Sequence, residues 1–435
     1  MSARAFSYIS VLCLITVSCD RQDPSYSDQA SPSAPKTRDV SQQSTGIKPA
    51  INSNSNAVLP IKNLSSPASV PVNPGYADPT KDSQEVIDQL ARLPKMGMLV
   101  NDIQCGLCHV DVKGDVISTR EVTAPRNDSE SHVLGRWLAA DNFDASAWVT
   151  ADRGIQSNYS GKEMPLGTAT DSHPNFPTID FSTLATKVKG TLTLENSITI
   201  NKTFNGNIVL IGTQAQPIVL SGDVYITGDL VLKGYYTGNG TIYASGNIYL
   251  PGDLKAMRTA FPFPADPVAA LAAANNLVKA QSTDSLGIAT AKSILVADLE
   301  SSIYSDPSTP ANRTWTALGV RNVYNWIPGG KAAYDALYID SIGCNGNRPH
   351  AGFNMIEAFL YAKNSVAGIS RGASFTIRGG VIADYLHIIS GAVNCPSTIS
   401  SAHGMPQNRS YIEYDYRLQT GMLKILENVA AAFPR

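Results

Sequence analysis

Between Gly206 and Gly252 the chain repeats one short pattern. The segments GNIVLI, GDVYIT, GDLVLK, GTIYAS and GNIYLP each place mostly aliphatic residues second and fourth after the glycine. Gly222, Gly228, Gly234, Gly240, Gly246 and Gly252 recur at intervals of six, and Gly206 and Gly212 show the same spacing upstream. Alternation of this kind gives a strand with one apolar face, and Gly-Asp or Gly-Asn supplies the turn. A fixed short period of strand plus turn predicts a mainly β chain built as a β-solenoid, parallel β-helix-like, in which each coil buries its apolar face against the next. A β-sandwich of short hairpins is the competing architecture.

The pattern changes on both sides. Ser83 to Leu93 has the start and spacing of a short amphipathic helix, which opens a small module expected over 81–177. Within that segment Val110 to Val116 alternates like a strand. The solenoid is expected over 178–254, and a helical insertion over 255–340. That insertion contains the Ala-rich stretch Val268 to Ala280 and a second stretch, Leu286 to Ser302, with helical spacing. Strand character returns in Phe359 to Ala362, Ser374 to Gly391 and Tyr411 to Leu418, and Met422 to Ala431 reads as a terminal amphipathic helix. Residues 341–435 are therefore expected to form a second β block with a C-terminal helical cap.

The first twenty residues bear on compartment. Arg4 precedes an apolar core from Tyr8 to Val17, long enough for a signal peptide and too short to span a bilayer. Ser18-Cys19 then resembles the lipobox of bacterial lipoproteins, with Thr16 where that motif usually has Leu. The resemblance implies removal of 1–18, lipidation of Cys19, and attachment to a membrane of the cell envelope, on the periplasmic side or the cell surface, through the lipid alone. Residues 19–80 are rich in Ser, Pro, Asn and Gln, and read as a disordered tether.

Charge excludes one class of partner. Lys plus Arg number 34 against 36 Asp plus Glu, with no basic run to neutralise phosphates, so nucleic acid is not expected as a ligand. Cys105-Gly-Leu-Cys108-His109 spells the c-type haem attachment motif. Its two thiols can add across the two vinyl groups of one haem, and His109 can ligate the iron. The cofactor expected is haem c, with Met164, in a Met-Pro pair resembling that of small class I cytochromes c, as the distal ligand. His132, His173, Met96 and Met98 are the other local options. In those cytochromes the motif sits on a helix, whereas here a strand-like run follows it. A disulfide between Cys105 and Cys108, a shared zinc or a redox dithiol are the alternatives at this site. Of the six Cys in the chain, Cys344 and Cys395 remain, and an oxidising compartment favours a disulfide between them over two buried thiols.

Hydrolytic chemistry has little support, since the chain has no HExxH, GxSxG or P-loop. Asp223, Asp229 and Asp253 would share one side of a coil if the six-residue period held. Each follows a glycine, where local turn hydrogen bonding accounts for it. His387 lies in an apolar strand and reads as a core or face residue. Residues Lys189 to Leu254 resemble the Gly-rich solenoids of bactofilins and of some pilus-associated envelope proteins. The expectation is a non-hydrolytic envelope lipoprotein whose covalent haem serves electron transfer or redox sensing. The alternative is a scaffold for envelope or pilus-associated partners, in which the Cys pair is a disulfide or incidental.

Overall fold

The structure is a computed structural model that describes residues 75–77, 82–90, 96–104, 110–120, 122–123, 131–141, 149–158, 176–194, 198–297, 299, 319–338, 355–371, 376–391 and 410–433. The chain is mainly β, with its strands joined in a 23-stranded sheet. Among the described residues, pairing is parallel except where Thr191–Leu194 runs antiparallel to Ile198–Asn201 and to Ile218–Ser221, and at one isolated antiparallel bridge, Tyr76 with Leu423. That is the reverse of a sandwich of hairpins, whose neighbours run antiparallel.

The strands fall into three rows that the chain visits in turn. Ile218–Ser221 lies in the first row, Val224–Ile226 in the second, and Leu230 opens the third. The long strand Leu230–Ala244 turns through all three: Leu232 pairs with Leu210, Tyr236 with Ile218 and Ile242 with Val224. Ile248–Leu250 returns to the third row and Leu254–Ala256 to the first. Ser285–Thr290 then stacks on the second row and Ile294–Ala297 on the third. Phe359–Arg371 and Thr376–Gly391 extend all three rows further.

This corrects the helical reading of 255–340. The Ala-rich stretch is a helix, Pro267–Lys279, but Leu286 to Ala297 supplies two strands of the rows. The remaining described helices there are Val323–Trp326 and Gly330–Tyr338. The Ala-rich helix begins where Asp266 accepts a hydrogen bond from the Ala269 backbone N–H at 2.8 Å, with Pro267 in the first turn. Its buried face, Ala270, Ala274 and Val278, is small enough to lie close against its neighbours.

The rows continue in an order that chain position does not suggest. Ser410–Tyr414, near the C-terminus, pairs with Thr376 to Gly379 on one side and with Val110–Lys113 on the other. Met96–Gln104 lies beside Val381 to Leu386 and is followed in the second row by Asp115–Ser118, Trp137–Ala139 and Ile155–Gln156. The N-terminal strands therefore stack beyond the C-terminal one.

Alternation places one set of side chains between the rows and another outside them. Leu220, Val224, Leu230, Ile248 and Val381 belong to the inner core, with Met98 and Trp137 toward the N-terminal strands. Outside the second row, Tyr225, Tyr243 and Tyr361 are covered by Phe181, Leu184 and the C-terminal Leu426 and Val429. Outside the third row, Tyr249, Leu295 and Tyr385 are covered by Val323 and Tyr334, with Tyr249 and Tyr334 edge-to-face at 6.1 Å. Each large apolar side chain removed from water contributes about 1.5–3 kcal/mol. The terminal helix is shorter than expected, Glu427–Ala431. No helix among the described residues is long and apolar enough to cross a membrane.

Candidate functional site

Cys19, Cys105, Cys108, His109, Met164, Cys344 and Cys395 all lie outside the described residues. What the structure fixes is the frame around the CxxCH motif. Met96–Gln104 ends in the third row, where Gln104 pairs with Thr123, and Val110–Lys113 begins in the first row, where Val110 pairs with Ser410. In the chain the five motif residues thus fall between a third-row strand and a first-row strand. Of the other local ligand options, Met98 is fully buried in the inner core. His132 Nε2 lies 2.7 Å from Asp152 Oδ1, and the His132 backbone N–H donates to Asp111 Oδ1 at 3.1 Å.

Asp223, Asp229 and Asp253 do not share a side. They precede strands of the second, third and first row respectively, because six residues carry the chain from one row to the next rather than round a whole circuit. Their hydrogen bonds are long-range in sequence as well. Asp223 Oδ1 accepts from the Thr241 N–H at 2.7 Å, and Asp229 Oδ1 from the Asn247 N–H at 2.8 Å, both 18 residues on. Asp253 Oδ1 accepts from the Met355 N–H at 3.1 Å. Asn207 and Asn247 repeat the arrangement below and above Asp229, accepting from the Asp229 and Ser293 N–H groups. Farther along the same corner Asn101 donates to Asp384 and accepts from Thr119 Oγ1, side chain to side chain. The Asp and Asn side chains at 207, 223, 229, 247 and 253 each satisfy a backbone N–H that the corner takes out of the strand ladder. Asp229 also accepts from Trp326 Nε1 at 3.3 Å, which fastens the covering helix to the row. Asp229→Ala is expected to cost about 1–3 kcal/mol, with Asp229→Asn recovering most of it, as read from urea unfolding midpoints. An unchanged midpoint in the alanine variant counts against the ladder's contribution.

Two charged clusters lie outside the first row. Arg378 sits between Glu357 and Glu413, at 3.3 and 3.5 Å, and Lys113 reaches Glu413 at 3.8 Å. Burial raises the Glu413 carboxyl above its usual range, against the opposing pull of Lys113 and Arg378. The buried Arg417 guanidinium donates to Asp415 at 2.9 and 2.8 Å, to Thr283 Oγ1 at 2.5 Å and to the Asp284 carbonyl at 2.7 Å. Phe261 lies 5.7 Å from the Arg378 and 5.5 Å from the Arg417 guanidinium carbon. With opposite charges and acceptors at hand, these groups are fitted to hold segments together. Among the described residues, no three His, Cys, Asp or Glu side chains are grouped to hold a metal ion.

Asp223 differs from these. It is buried and its carboxyl is pushed up to about 8, first by burial and then by the nearby Glu427, despite hydrogen bonds from Thr241 and Tyr243. Sequence reasoning saw Asp223 only as a turn residue. Its proximity to Glu427 brings together residues nearly half the chain apart, and no local pattern signals it. No protein-family model, no curated protein and no solved structure matches this chain.

Proposed function

We propose that this chain is a non-hydrolytic cell-envelope lipoprotein whose body is a β-solenoid scaffold, held from the membrane by the lipid on Cys19 and the tether 19–80. The observation that carries the reading is the parallel register in three rows. It runs from Thr203 and Ile208 through the successive strands to Gly391 and on into Val110–Lys113 and Trp137–Ala139. A stack of this kind adds length strand by strand and presents side chains at regular intervals, which suits display or lateral contact with other envelope proteins. Corner hydrogen bonds and covered outer faces give the stiffness such a role needs.

Covalent haem c on Cys105 and Cys108, with His109 and Met164 as axial ligands, is the second reading, favoured by the CxxCH spacing itself. The deciding experiment is export of the mature chain together with the c-type haem assembly machinery, followed by a pyridine haemochrome spectrum of the denatured protein. The scaffold reading expects no covalent haem. A c-type α-band that survives acid-acetone extraction overturns it and makes electron transfer the function.

A further inference from the structure

The two ends of the described chain are fastened to each other over the second row. The Ala77 N–H donates to the Met422 carbonyl at 2.7 Å and the Lys424 N–H to the Gly75 carbonyl at 2.9 Å, with an antiparallel bridge between Tyr76 and Leu423. Lys424 Nζ lies 2.9 Å from Asp82. The helix Gln84–Leu90 packs against Glu427–Ala431. The C-terminal segment thus holds the N-terminal one, which is also held directly where Tyr76 Oη donates to the Thr283 carbonyl at 2.7 Å. The C-terminal segment rests in turn on the row beneath it. The Leu426 N–H donates to Thr241 Oγ1 at 2.6 Å and the Asn428 N–H to Tyr243 Oη at 3.3 Å. Leu426 has φ +58°, a left-handed conformation unfavourable for leucine, and its side chain fills the space left by the missing Cβ of Gly287.

Thr241 links this contact to a buried acid. Its hydroxyl accepts from Leu426 while its backbone N–H donates to Asp223 Oδ1. The groups facing Asp223 are Thr241, Tyr243 and Glu427; those facing Glu427 are Lys424, Asp82 and Lys189. The Asp223 carboxyl is thus shut beneath the C-terminal segment, beside a second carboxyl. We propose that Gly421 to Phe433 is a latch, holding Gly75 to Ala77 and the helix Gln84–Leu90 in place while Asp223 is protonated and releasing them when Asp223 ionises.

The sign follows from the two states. Closed, Asp223 titrates at about 8; open and solvated, it returns to about 3.9. The closed state binds the proton more tightly, so its advantage is full at low pH. That advantage falls about tenfold per pH unit between those values and levels off above the higher one. Tyr243, held well above its ordinary value by burial, stays neutral throughout.

The test is amide hydrogen exchange on the full chain from pH 5 to 9, corrected for the intrinsic pH dependence of exchange. Protection at Ala77, Lys424, Leu426 and Asn428 is expected to fall about a hundredfold from pH 6 to 8 and then level, while Leu230 and Ile248 hold. In Asp223→Asn, which keeps the acceptor for Thr241, the latch amides are expected to stay protected across the range. Glu427→Gln is expected to bring the levelling to lower pH, because the neighbouring charge is gone. A flat profile in the wild-type chain, an equal fall at Leu230 and Ile248, or an unchanged slope in Asp223→Asn overturns the proposal. The wild-type profile decides alone if neither variant folds.

Discussion

Gly238→Val is expected to prevent the rows from forming, leaving a chain without a cooperative unfolding transition. Gly238 has φ +96°, and a Cβ placed on it would stand 1.8 Å from the Leu220 carbonyl oxygen. Leu220 is its register partner in the neighbouring strand, so the clash is backbone against side chain and no rotamer relieves it. Parallel strands sit about 4.8 Å apart, and opening that spacing here would break the ladder hydrogen bonds on both sides of Gly238. A β-branched residue adds the strain of a left-handed backbone to the collision. The combined cost is expected to exceed about 4 kcal/mol, a large fraction of the net stability of a folded domain. Gly206 provides the control: its φ is +103°, but a Cβ there meets nothing within 4 Å. Gly206→Ala should therefore carry only the backbone penalty, about 1–2 kcal/mol. Urea titration followed by far-UV circular dichroism compares the two, and similar midpoints would show that close strand approach is not what requires Gly238.

The contrast between those glycines shows how far the repeat could be read. The six-residue spacing marked the strands around Ile208, Val224, Leu230, Ile242 and Ile248, because alternation is a local property of the chain. It did not reveal that three such units make one circuit. Residues six apart were expected on one side, whereas Asp223 and Asp229 stand on different corners and their hydrogen-bonding partners lie 18 residues on. Leu286 to Ala297 was read as helix for a related reason. Two short strands separated by the corner at Ala291 to Ser293 bring apolar residues together at spacings that also fit a helical stripe. The covering segments were still less legible. Leu426 occupies the place of the missing side chain of Gly287, and Arg417 closes on Thr283 and Asp284, contacts across more than a hundred residues with no periodicity to announce them. The CxxCH motif, by contrast, could be named from its spacing alone as a candidate for haem attachment. Its structural setting, a link between two strands of different rows, depends on partners as distant as Ser410.

That distant partnership has the second large consequence. Ile412 is fully buried, in register with Ile377 on one side and Val112 on the other. A carboxylate placed there meets apolar neighbours in both directions, and Ile412→Asp is expected to cost about 3–5 kcal/mol as an uncompensated buried charge. The loss should not be uniform. Strand Ser410–Tyr414 is the first-row support for Val110–Lys113 and for the strands beyond it, while the rows from Ile208 to Ile294 have their own partners. Amide exchange should therefore quicken by about two orders of magnitude or more at Val116, Leu134 and Trp137, with Leu230 and Ile248 little changed. Equal loss at all five would mean that the stack unfolds as one unit. No loss at the first three would mean that Met96–Gln104, paired directly with Thr376–Gly391, holds the N-terminal strands unaided. The expected pattern has a consequence for synthesis. The N-terminal strands are made well before the strand they rest on, Ser410–Tyr414. Their docking on it must therefore wait until Ser410–Tyr414 has been made.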